Sequence, residues 1–135
     1  MKTSLILVLA LTFYAVISFG FKPNQDKKPW VAPESAKEIK NPVEATKKSI
    51  KEGQQIFKQR CVVCHGQEGK GDGPGSRALE PKPANLPSEK VQGQTDGEIF
   101  WKISNGRGPM VAWKNILSEE NRWNLVNYVR TLDEN

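Results

Sequence analysis

Residues 66–94 crowd Gly66, Gly69, Gly71, Gly73 and Gly75, then Pro81, Pro83 and Pro87, into one stretch. Neither a long helix nor a strand tolerates that density of chain breakers, so the chain must fit a long irregular loop into a small domain. Such loops are uncommon in compact domains unless something fills the space they surround.

The segments around the loop read as helices. Asn41-Pro42 predicts a first helix start, a cap residue followed by a proline tolerated in the first turn, with a break before Ser49. From there Ile50, Gly53, Phe57, Cys61 and Cys64 follow three- and four-residue spacings and share one face. Thr95 and Glu98 form a capping-box pair that opens a second helix over Asp96 to Ser104, and Asn105-Gly106 ends it. Its apolar residues are Ile99, Phe100, Trp101 and Ile103. A third helix starts at Ser118, with Glu119 and Glu120 suited to the positive helix end. Trp123, Val126 and Val129, flanked by Leu125, Tyr128 and Leu132, give it a broad apolar face. No segment alternates as a strand would. The fold class is all-α, with a core too thin for its length, which a large apolar object in the middle would resolve.

Cys61-Val62-Val63-Cys64-His65 announces that object. C-x-x-C-H is the attachment sequence for c-type haem. Two cysteines one helical turn apart can each form a thioether with one porphyrin vinyl group, and His65 is then brought beneath the iron as proximal ligand. Other readings are weaker. A disulfide would close too short a loop to staple a domain. A thioredoxin-type dithiol lacks its βαβ surroundings. A zinc site needs about four ligands, and the chain has no further Cys or His.

His65 is the only histidine, and the methionines are Met1 and Met110. A second side chain of the usual kind on the iron is therefore Met110, the distal ligand. It ends the stiff stretch Asn105-Gly106-Arg107-Gly108-Pro109-Met110. A thioether ligand favours reduced iron, and filling both axial positions leaves none for substrate or O₂. That points to electron transfer rather than catalysis, and away from a gas sensor or peroxidase.

Export fits this chemistry. Lys2 precedes an apolar run from Leu5 to Phe19, with Ser18 and Gly20 as small residues before Phe21. Residues 1–20 read as a secretory signal peptide or an N-terminal anchor, and the uncharged run over residues 4–21 is a candidate membrane tether. The location is periplasmic or otherwise extracytoplasmic. Residues 21–48, a Pro/Lys-rich arm with Pro23, Pro29, Pro33 and Pro42, hold seven Lys against four acids. Trp30 is placed to dock that arm. Residues 49–135 are nearly neutral, with twelve basic and eleven acidic residues. The formal charge of +5 thus reports the arm, and no basic stripe suggests nucleic acid as a partner.

Over residues 48–133 the chain resembles the class I cytochrome c family. Gly53 and Phe57 precede Cys61 by eight and four residues, and Leu125 and Tyr128 lie three apart on the last helix. The resemblance implies three to five helices wrapped around one covalently bound haem c, with the terminal helices crossing at Gly53. It also implies that Pro74, nine residues after His65, offers the carbonyl that orients the imidazole, with Pro81 and Pro83 as rivals. Arg107, Trp101 and Trp113 become candidates to line the haem edge or bind its propionates. The Pro-Trp arm at 29–33 and Gly71-Asp72-Gly73-Pro74 resemble a bacterial subgroup of short mono-haem cytochromes.

The function so implied is an exported mono-haem carrier, not an enzyme in itself. It would pass single electrons between a redox protein donor and acceptor of a respiratory chain. The alternative is a haem c subunit fixed in a larger oxidoreductase. The chain is accordingly expected as a monomer or a complex subunit.

Overall fold

The structure, a computed structural model, describes residues 29–133. The export segment at 1–20, the tether at 4–21 and the start of the arm lie outside the described residues. In chain order the helices are α1 (Glu34–Lys37), α2 (Lys47–Arg60), α3 (Val62–His65), α4 (Glu89–Gln92), α5 (Asp96–Asn105) and α6 (Glu119–Arg130), with 3-10 turns at Pro74–Ala78 and Trp113–Asn115. Among the described residues there is no strand, only an isolated bridge between Arg107 and Met110. The architecture is all-α, as the sequence predicts. No helix among the described residues is long and apolar enough to cross a membrane.

Two helix starts follow the sequence. Thr95 accepts the Glu98 N–H at 3.2 Å while the Glu98 carboxylate accepts the Thr95 N–H at 2.8 Å, a complete capping box. Ser118 caps α6 by accepting the Asn121 N–H at 3.1 Å. The first helix departs from expectation, because residues 41–46 are not helical. The Asn41 side chain accepts the Val43 N–H two residues on at 2.9 Å, an Asx turn that competes with helix formation. Thr46 takes over as cap and accepts the Ser49 N–H at 3.1 Å.

Helices α2 and α6 make the most extensive contact between elements. A Cβ at Gly53 would lie 2.0 Å from the Asn124 carbonyl oxygen and 2.9 Å from Tyr128 Cβ, so the backbones touch where no side chain fits. Around that point Phe57, Leu125, Val126, Tyr128 and Val129 are buried, with Trp123, Ile99 and Ile103 extending the cluster towards α5. Full burial of one such side chain contributes about 1.5–3 kcal/mol. Most polar groups at the crossing are paired, Asn124 Oδ1 being a buried exception. Asn127 donates to Ser49 Oγ at 2.6 Å and accepts from Asn41 at 2.7 Å, and Asn124 donates to Glu52 at 2.9 Å.

The loop over 66–94 is irregular apart from the Pro74–Ala78 turn and α4. Arg130 ties its end to α6: the guanidinium bonds Asp96 at 2.7 Å and donates to the Gln92 and Gln94 carbonyls.

Replacing Gly53 with Ala is expected to destabilise the protein by about 1–3 kcal/mol, the usual cost of overpacking. For a domain near this size each kcal/mol lowers the melting temperature by about 4–8 °C. An unaltered melting temperature would contradict the crossing.

Candidate functional site

Cys61 sits at a joint. It is the C-cap of α2 and, at φ −111° and ψ −32°, the residue from which α3 sets off in a new direction. Its carbonyl accepts the N–H groups of Cys64 at 3.1 Å and His65 at 2.8 Å. One turn therefore separates the two sulfurs and delivers the imidazole directly after the second. Both cysteines are free thiols and half-buried. The Phe57 ring lies 6.4 Å from the His65 ring and 5.2 Å from that of Tyr128, so the helix crossing fixes where the imidazole stands.

The loop returns over this turn. Gly71 donates its N–H to the His65 carbonyl at 2.8 Å, and Gly73 donates to Cys64 at 3.1 Å. Gly71 has φ +80°, and a Cβ there would be 2.5 Å from the Pro83 carbonyl oxygen. The chain at 83–84 is thereby pressed against the motif, and the Ala84 carbonyl comes to 3.3 Å from His65 Nδ1. A carbonyl only accepts, so Nδ1 carries the proton and donates, leaving Nε2 as the ring nitrogen with a free lone pair.

This corrects the expectation for Pro74, and for its rivals Pro81 and Pro83. Pro74 is exposed and opens the 3-10 turn that packs on α3. Gly73 just before it lies against the Val62 and Val63 carbonyls. The acceptor is Ala84, one residue beyond Pro83. No residue type marks it in the sequence, since any backbone carbonyl can serve. The indirect signal was Gly71, the position that must admit a close chain.

Burial holds His65 below the usual histidine range, partly opposed by the bond to Ala84. Burial, reinforced by Cys64, pushes the Cys61 thiol up to about 12. A dithiol oxidoreductase needs the opposite, a thiolate with lowered pKa.

Met110 lies beyond the end of α5, which Gly106 caps by donating to the Lys102 carbonyl at 2.9 Å. Residues 107–110 form a tight turn closed by the Met110 N–H donating to the Arg107 carbonyl at 2.8 Å. The Met110 side chain is half-buried against the core cluster that Cys61 and Val62 also touch. Trp113 opens the second 3-10 turn and packs on that cluster as well. Trp101 is half-buried in α5, its carbonyl bonded by Asn105 at 2.8 Å. Arg107 turns its guanidinium over the Trp30 ring, 5.2 Å from the centroid.

The donor set suits a haem. Two unpaired thiols stand one turn apart, an imidazole is oriented through one nitrogen with the other free, and a thioether joins the same cluster.

Comparison with known proteins agrees. The family model described as cytochrome c oxidase, cbb3-type, subunit III matches residues 48–129. Cytochrome c6 of Euglena gracilis is 32% identical over 79 residues, covering 58% of this chain and 87% of that protein. A chain of the Kuenenia stuttgartiensis reducing HAO-like protein complex Kustc0457/Kustc0458 is similar at a TM-score of 0.64 and 29% identity, over 71% of this chain. The match spans only 50% of that longer chain. The KustC0563 c-type cytochrome gives a TM-score of 0.51 at 27% identity, over 61% of this chain and 98% of that one. With residues 48–129 covered by the family model and the C-x-x-C-H turn inside that span, the chain belongs to this family of c-type cytochromes, electron-transfer proteins that carry haem c.

Proposed function

We propose that this chain is an exported mono-haem cytochrome that passes one electron at a time between redox proteins of a respiratory chain. Cys61 and Cys64 would hold one haem c through thioethers, with His65 as proximal and Met110 as distal ligand. The observation that carries the reading is the single turn from Cys61 to His65, with both thiols free and Nδ1 already committed to Ala84. Haem c, when bound, supplies an iron that cycles between two oxidation states.

The remaining work falls to the chain. Phe57 and the Ala84 carbonyl keep the imidazole from rotating, and a bond at Nδ1 makes the other nitrogen a stronger donor. The Met110 turn offers a soft thioether, which favours reduced iron. Packing of Met110 and Trp113 on the core cluster places apolar side chains on that side. With His65 and Met110 both holding the iron, the chain would leave no open position for a substrate.

A second reading, a haem c subunit fixed within a larger oxidoreductase, draws support from two observations. The matching family is described by an oxidase subunit, and one structural relative comes from a protein complex. The arm at 21–48 would then tether or dock the domain. Co-purification with a large subunit in fixed stoichiometry favours this reading, and isolation as a soluble monomer favours the free carrier.

Absorption spectra of the reduced protein with and without CO test the proposal, because a closed iron site leaves the spectrum unchanged. Met110→Ala should keep the haem attached, lower the reduction potential and admit CO. An unchanged potential would remove Met110 from the iron. His65→Ala should yield no normally folded, coloured protein, as judged by the Soret band after purification. Gly71→Ala should force the Pro83–Ala84 chain away from the imidazole and raise the potential, since a less basic ring stabilises oxidised iron less. A potential equal to wild type would show that the Ala84 bond does not tune the site.

A further inference from the structure

The arm is anchored along α5 at both ends of that helix. At the start, a Cβ on Gly97 would lie 2.0 Å from the Ala36 carbonyl oxygen and 2.7 Å from that of Ile39, so α1 sits directly on the first turn of α5. Ala36 and Ala32 are buried there. At the far end the Trp30 ring meets Lys102, 5.7 Å from its centroid, and Arg107, at 5.2 Å. The 10 residues of α5 span about 15 Å at 1.5 Å per residue. From Trp30 the chain runs extended to Glu34 and then enters α1, so Trp30 to Ala36 can reach about 16 Å. The arm therefore forms a strap lying along α5, with Trp30 where the chain leaves that helix for Met110.

Arg107 connects the strap to the ligand. Its side chain lies on the indole while its carbonyl accepts the Met110 N–H at 2.8 Å and its backbone bridges to Met110. Lys102 and Arg107 carry like charges. Burial first, then the charges of Lys90 and Arg107, hold Lys102 below the usual lysine range, with Glu98 opposing. Lys102 also donates to Gln94. Both cations lie against one indole ring, an attraction available to Trp above all other side chains.

We propose that Trp30 is a positioning residue for Met110: by clasping Arg107 and Lys102 it holds the turn at 107–110 in place and keeps the thioether on the iron. This rests on Met110 being the distal ligand. Without the indole both attractions are lost, the turn loosens, and the thioether leaves the iron more often. Two cation–π contacts at a partly exposed site correspond to about a five- to thirtyfold change in that equilibrium.

The test titrates the oxidised holoprotein with imidazole and follows loss of the weak charge-transfer band at the red end of the spectrum. Wild type, Trp30→Leu, Trp30→Phe and the helix-cap variant Thr46→Ala are compared, with Met110→Ala as the fully open reference. Trp30→Leu should bind imidazole about five- to thirtyfold more tightly than wild type. Trp30→Phe should fall between the two, because a weaker aromatic face remains. Thr46→Ala, which removes the cap of α2 and lowers the melting temperature from a position outside the core cluster that Met110 packs on, should bind as wild type does. Wild-type affinity in both Trp30 variants, or an equal rise in Thr46→Ala, would overturn the positioning role while leaving the Met110 assignment intact. A wild-type protein lacking the band would overturn both.

Discussion

At Gly53 the backbone of α2 rests on the backbone of α6, with the Asn124 carbonyl occupying the place of a side chain. That approach brings Phe57 onto Tyr128 and leaves Phe57 beside His65. The C-x-x-C-H turn follows four residues after Phe57, so its placement is a consequence of the crossing. Asn127 bonds Ser49 and Asn41, and Asn124 bonds Glu52, so the amide nitrogens trapped at the crossing are satisfied from α2 and the turn before it. A contact made by the absence of a side chain thus determines where the chemistry can occur.

The site has two halves of different construction. The half that bears His65 is built from α2, α3 and the loop that folds back on them, held by backbone bonds from Gly71 and Gly73. The half that bears Met110 is built from α5 and a short turn, with an arm from earlier in the chain laid against Arg107. On the proposed function, attachment and proximal ligation would fall to the first half, which local sequence organises. Distal ligation by Met110 would fall to the second, whose turn is contacted by a segment far away in sequence. Different mutations should therefore disturb attachment and distal ligation separately.

Local rules made much of this legible in the residues. Thr95 with Glu98, and Ser118 ahead of two glutamates, mark helix starts that need only their own neighbours, and both caps form. The pattern Gly53, Phe57, Cys61 identified the buried face for the same reason. Asn41-Pro42 misled because asparagine serves an Asx turn as readily as a helix cap, and its side chain takes the turn while also reaching Asn127. Pro74 misled for a different reason. The partner of His65 is a backbone carbonyl, and position along the chain, not residue type, decides which one arrives. The proline content of the arm likewise gave no sign that Ala36 is buried, since the surface it meets at Gly97 is created only when α5 has folded.

The account stands on a porphyrin bonded through sulfur to Cys61 and Cys64. Mass spectrometry of the protein, purified from cells with a working haem-attachment system and then unfolded in acid, measures this most directly. The account predicts a chain that keeps the mass and colour of one haem after unfolding. A well-folded polypeptide that emerges colourless, with both thiols open to alkylation, would contradict it.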